Sequence, residues 1–98
     1  MTIRTDQNGE KLDLALEGRL DTTTAPELDQ AIKSALDSIT DLTLDLEKLE
    51  YLSSAGLRVL LAAQKAMNKQ GVMTVKNVSE NIMEIFEITG FSEILTIV

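Results

Sequence analysis

The sequence predicts a single α/β domain over residues 1–98: a mixed sheet of four to five strands with three main helices, in the order β-β-α-β-α-β-α with a short final strand as the fifth. Three observations predict it. The runs Lys11 to Glu17 and Leu42 to Leu46 alternate apolar and polar residues with a period of two, as half-buried strands do. Other stretches carry apolar residues at helical spacing. Helical stretches separate the second, third and fourth strands, and a helical crossover makes the strands it joins parallel.

Ile3 to Gln7 is the first expected strand. Asn8-Gly9 is the strongest short hairpin signal, so Lys11 to Glu17 pairs antiparallel with it and turns Leu12, Leu14 and Leu16 to one face. Gly18 to Thr23 is expected to leave the sheet as a loop. Thr24 and Glu27 have capping-box spacing, and Pro26 falls in the first turn of a helix, where its missing N–H does no harm. Leu28, Ala31, Ile32, Ala35 and Leu36 make the apolar stripe of that helix, and Asp37-Ser38 ends it.

Leu42 to Leu46 is the third strand, followed by an expected loop from Glu47 to Ser54. A second helix runs roughly from Ala55 to Lys69, burying Leu57, Leu60, Leu61 and Met67, with Gly71 as the residue that stops it. Val72 to Val75 is a fourth strand. Ser79 caps a third helix with Ile82, Ile85 and Phe86 inward, and Gly90-Phe91 has the form of a Schellman stop. Ser92 to Leu95 adds a turn, and Thr96 to Val98 an edge strand.

Composition excludes several functions. Neither histidine nor cysteine occurs, which removes the commonest general base, the commonest metal ligand and all thiolate chemistry. Acidic residues have no metal-ligand spacing, and no glycine-rich nucleotide motif occurs, so neither metal nor cofactor is expected. A serine nucleophile would have no base to activate it, so an enzyme is not expected. The net charge of −7 disfavours nucleic acid as a partner. Residues 1–50 carry twelve acids against five bases, whereas residues 51–98 balance. That half is either a solvated acidic face or a surface that recognises a basic partner. The longest apolar run, Val59 to Ala63, is too short to cross a bilayer, and the N-terminus has no signal-peptide core. A cytoplasmic protein without membrane insertion is expected.

Chemistry concentrates where the third strand meets the second helix. Ser53 or Ser54 is the N-cap there, and the free N–H groups and positive dipole end of a helix N-terminus favour negative charge. Gly56 leaves its backbone open to close approach. In parallel sheets, partners meet the loops at the carboxyl ends of the strands. Asp21, Thr22, Thr23, Ser53, Ser54 and Gly56 are therefore expected on one small polar surface. Each has a plainer reading beside it: Ser54 as an N-cap, Asp21 as a turn cap, Gly56 as a packing glycine, Arg58 as a solvated helix residue.

Over nearly its whole length the chain resembles the STAS-domain anti-sigma factor antagonists of bacteria, also called anti-anti-sigma factors. Gly18-Arg19-Leu20-Asp21 is similar to the family's Gly-x-Leu-Asp after the second strand. Leu44-Asp45-Leu46 followed by Leu52-Ser53-Ser54-Ala55-Gly56-Leu57 resembles its phosphorylation loop, and Gly90 to Leu95 the stretch after its third helix. The resemblance implies a STAS-like fold and a phosphorylation site at Ser54, two residues before the loop glycine. It implies as partner an anti-sigma factor that is also an ATP-dependent serine kinase. Unphosphorylated antagonist binds that partner and frees a sigma factor; phosphorylated antagonist does not bind, and a serine phosphatase resets it. With the polar loops, it places partner contacts at Asp21, Thr22, Thr23, Ser53, Ala55, Gly56 and Arg58. Relatives often carry an acid at the position of Ser53 and a second hydroxyl at that of Ala55. The alternative is a STAS interaction subunit of a lipid-transport or sensory complex that is never phosphorylated.

Overall fold

The alternating leucines decide how the sheet is built. In the computed structural model, which describes residues 1–98, β1 (Thr2–Asn8) and β2 (Lys11–Leu20) form an antiparallel hairpin. Helix α1 (Ala25–Ala35), extended by a 3₁₀ turn over Leu36–Ser38, crosses to β3 (Asp41–Leu52). Helix α2 (Ser54–Asn68) leads to β4 (Val72–Lys76), and α3 (Glu80–Thr89) is followed by a 3₁₀ turn over Phe91–Glu93. The sheet order is β1-β2-β3-β4, with β2, β3 and β4 mutually parallel. This is the expected order of elements.

Leu12, Leu14 and Leu16 of β2, Leu42, Leu44 and Leu46 of β3, and Met73 and Val75 of β4 share one face and are buried. The helices cover that face with Leu28, Ile32, Leu57, Leu60, Met67, Ile82 and Phe86, making one core. The opposite face carries Asp13, Ala15, Thr43, Asp45 and Thr74, and no helix covers it. A sheet packed on one side produces this alternation of leucine and polar residue.

Several boundaries differ from the expectation. The third strand does not stop at Leu46 but continues to Leu52, and the second continues through Gly18 to Leu20. The register explains why the pattern is hidden. Ala15 pairs with Asp45 but Glu17 with Lys48, and Gly18 pairs with Leu49 but Arg19 with Tyr51. Each shift inserts one extra residue into β3, and a bulge resets which side chains face inward. Leu46, Leu49 and Leu52 are all buried at intervals of three, so period-two counting ends too early. Gly18, at φ +104, supplies the left-handed backbone at the second shift.

Smaller corrections have local causes. The hairpin turn is Gly9-Glu10 rather than Asn8-Gly9, with φ +64 at Gly9 in the first central position. Gly71 is not a left-handed stop: the Thr40 carbonyl occupies the space a Cβ would need, and that carbonyl accepts the Val72 N–H at 2.9 Å. Leu61 and Ile85 are half-buried, while Ala63 and Gln64 of α2 are buried. Gly90 does adopt the left-handed stop after α3, at φ +83. The expected last strand reduces to one parallel bridge between Val75 and Ile97. No helix is long and apolar enough to cross a membrane.

Candidate functional site

Strands β2 and β3 end side by side. Leu20 pairs with Leu52, and the Ser53 N–H donates to the Leu20 carbonyl at 2.9 Å. The chain leaves both strands at one level, toward α1 through Asp21 and toward α2 through Ser53. The two halves of the expected polar surface are thus held together by the parallel ladder itself.

Asp21 organises the first half. Its Oδ1 accepts the N–H groups of Thr23 and Thr24 at 3.0 and 3.1 Å and the Thr23 hydroxyl at 2.8 Å. Its carbonyl accepts the Ala25 N–H at 2.8 Å. The Thr24 hydroxyl donates to the Arg19 carbonyl at 2.7 Å and accepts the Asp21 N–H at 2.8 Å. The expected capping box of Thr24 with Glu27 does not form, because the Thr24 side chain is committed to this turn. The Thr23 hydroxyl is the largest influence, and with the Thr24 hydroxyl and the two N–H groups it outweighs the opposing effect of desolvation and holds the Asp21 carboxyl below its usual 3.8. Thr22 and Thr23 are exposed.

A single residue, Ser53, separates β3 from α2. Its backbone is extended, and its Oγ accepts the Gly56 N–H at 3.4 Å while its carbonyl accepts the Leu57 N–H at 3.0 Å. Ser53, not Ser54, is therefore the N-cap. Ser54 is exposed at the first helical position. Its N–H and that of Ala55 have no partner in the chain, so two donors stand free beside its hydroxyl. Ala55 is half-buried, and Arg58 is exposed one turn further on.

Gly56 departs from the expectation. It is buried, and a Cβ there would lie 2.7 Å from Leu20 Cγ and from Leu52 Cδ1. The space a side chain would take is filled from within by the ends of β2 and β3. Packing against these two leucines is enough to require a glycine here.

Sequence reading missed two residues of this surface. The Arg19 guanidinium carbon lies 4.1 Å from the centroid of the Tyr51 ring, and Arg19 Nε lies 3.7 Å from Asp21 Oδ2. Tyr51 remains 40% exposed, with the Arg19 guanidinium over its ring. Both residues stand just before a buried leucine, Leu20 and Leu52. Extending the strands to those leucines would have paired them. Asp45 lies away from this surface, on the open sheet face. Partial burial pushes its carboxyl up, but bonds from Asn77 Nδ2 and the Glu47 N–H, with the charge of Lys76, leave it below its usual value. No cluster of acidic side chains has the arrangement of a metal site.

Comparison with known proteins gives consistent results. A family model described as "Mlab, STAS domain" matches residues 3–97. The anti-sigma-B factor antagonist of Bacillus subtilis is 31% identical over 100 residues, covering 99% of this chain and 92% of that protein. The crystal structure of an anti-sigma factor antagonist from Mycobacterium paratuberculosis superposes with a TM-score of 0.88 at 27% identity, over 98% of this chain and 83% of the other. The anti-sigma factor antagonist SpoIIAA in its unphosphorylated form superposes with a TM-score of 0.86 over 99% and 88%, and at 18% identity shares the fold.

Proposed function

The chain belongs to the STAS domain family and to its anti-sigma factor antagonists, and from that premise we propose that it is a binding regulator switched by phosphorylation of Ser54. Unphosphorylated, it binds an anti-sigma factor that is also a serine kinase, and so frees a sigma factor. Phosphorylated, it releases that partner until a serine phosphatase resets it. Residues 1–98 act as one STAS unit, in the cytoplasm. One observation carries the reading: Ser54 is an exposed hydroxyl at the first position of α2, beside two unpartnered N–H groups, with capping done by its neighbour Ser53.

Physical chemistry favours a switch at the interface over one inside the domain. A phosphate brings about −1.5 to −2 charges at neutral pH. At a helix N-terminus that charge is favourable by typically 0.3–1 kcal/mol, so the domain stays folded with a nearly unchanged melting temperature. A partner packed against Ser54 loses its space, and its acidic groups are repelled. A loss of about 2–4 kcal/mol weakens affinity roughly 30- to 1000-fold. Asp21, Thr22, Thr23, Ser53, Ala55 and Arg58 supply the rest of the contact surface, with Arg19 and Tyr51 beside them.

The test is incubation with a cognate anti-sigma factor serine kinase and ATP, read by mass spectrometry and calorimetric titration. Phosphate is expected on Ser54, with Ser54→Ala unmodified and binding constitutively, and Ser54→Asp binding poorly. Phosphate on Ser53 alone overturns the assignment. One observation favours a second reading, since the matched family model is described as the Mlab STAS domain rather than as an antagonist. An unphosphorylated interaction subunit of a lipid-transport or sensory complex would show phosphate on neither serine.

A further inference from the structure

Strand β1 ends the sheet, and nothing in the chain pairs with its outer side. Every residue of it except Ile3 is exposed. The two-residue turn closes on the pair Asn8–Lys11, which in such hairpins is a hydrogen-bonded pair. Alternation along the antiparallel ladder then directs the N–H and C=O groups of Arg4 and Asp6 at β2 and those of Ile3, Thr5 and Gln7 outward. Three residues thus present a row of unpartnered donors and acceptors, a template for another strand.

Charge on an edge strand usually blocks such pairing. Here the charges are opposite in sign and flank Thr5 symmetrically. Arg4 pairs with Ala15 and Asp6 with Asp13, so both side chains lie on the open sheet face. Neither has an ion-pair partner within the chain, whose salt bridges join Arg19 to Asp21 and Lys33 to Asp29.

We propose that β1 pairs antiparallel with β1 of a second copy of the chain, about a two-fold axis through Thr5. In that register Thr5 faces Thr5, and Ile3 faces Gln7, as hydrogen-bonded pairs that use every outward backbone group of the three residues. Arg4 faces Asp6 of the second copy, and Asp6 faces its Arg4. Both pairs fall at non-hydrogen-bonded positions, where opposed Cα atoms approach to about 4.5 Å and opposite charges favour the register. Moving the axis to Asp6 sets Asp6 against Asp6, and moving it to Arg4 sets Arg4 against Arg4. Moving it by half a residue sets outward backbone groups against groups already used by β2. The charge pattern therefore selects one alignment. A single short strand is a small contact, so the dimer is a weak one that forms at high concentration.

Analytical ultracentrifugation of the full chain tests this. The mass is expected to be that of one chain at about 10 μM and to rise toward two chains at about 1 mM. Arg4→Asp and Asp6→Arg are each expected to remain monomeric at the higher concentration. The double variant Arg4→Asp/Asp6→Arg restores the dimer, and mixing the two single variants gives a heterodimer. Circular dichroism of each variant checks that it is folded. A wild-type chain that stays monomeric at the higher concentration overturns the proposal. So does a dimer that survives both single reversals, which would put self-association on another surface.

Discussion

Asp21 and Gly56 set the geometry of the site from opposite sides, one by bonding and the other by absence. The Asp21 carboxylate is the acceptor on which Thr23 and Thr24 converge. Its folded pKa lies below the usual 3.8, so the stability it adds is fully present above that value and is lost as pH falls through the lowered folded pKa. Thr23→Val, which removes the largest lowering influence, is expected to bring the Asp21 titration back toward 3.8, as read by carboxyl NMR shifts against pH. A titration unchanged by that variant would remove the hydroxyl as the cause. At Gly56 a methyl group would meet Leu20 and Leu52 at 2.7 Å. Overpacking of this kind costs about 1–3 kcal/mol, so Gly56→Ala is expected to lower the urea midpoint without changing the slope.

At the scale of elements, the caps show how much the sequence revealed. The N-cap serine of α3 was legible as Ser79, but for α2 the sequence left Ser53 and Ser54 both open, because two adjacent serines precede the helix and the structure puts the cap on the first. The Ser53 bond is long, at 3.4 Å, so Ser53→Ala is expected to cost near the low end of the usual 0.5–2 kcal/mol, seen as a small fall in thermal midpoint. That variant is still expected to accept phosphate at Ser54. The cap of α1 was misread, because a capping box and an Asp-centred turn use the same threonine. Only the positions of Arg19 and Asp21 in space show that Thr24 serves the turn. The ends of β2 and β3 were hidden for a different reason. Two bulges in β3 replace a period of two with intervals of three, and no local propensity marks them. The pairing of Arg19 with Tyr51 was lost with those strand ends. Gly71 was found for the wrong reason, since its need for a missing side chain comes from Thr40, thirty-one residues earlier.

Over the whole molecule, the topology followed from the pattern of leucines and the crossovers, and the site from the ends of the two strands that adjoin across β2 and β3. The parallel ladder that builds the core also aligns the site. With Ser53 as the sole residue between β3 and α2, and Asp21 bonded into its turn, neither half has a slack segment to reorganise. This has a kinetic consequence. A partner docking on the proposed surface is expected to meet it already in shape, so encounter is not expected to be gated by a slow rearrangement in this chain. Stopped-flow mixing with the partner in excess is expected to give a single exponential whose rate rises linearly with partner concentration, without a plateau. Association constants should fall within the ordinary 10⁵–10⁷ M⁻¹s⁻¹, roughly, for docking of two fixed patches. Substitutions at Asp21, Tyr51 or Ser54 should then change residence time far more than the rate of arrival, so under the proposed function affinity is set by how long a partner stays.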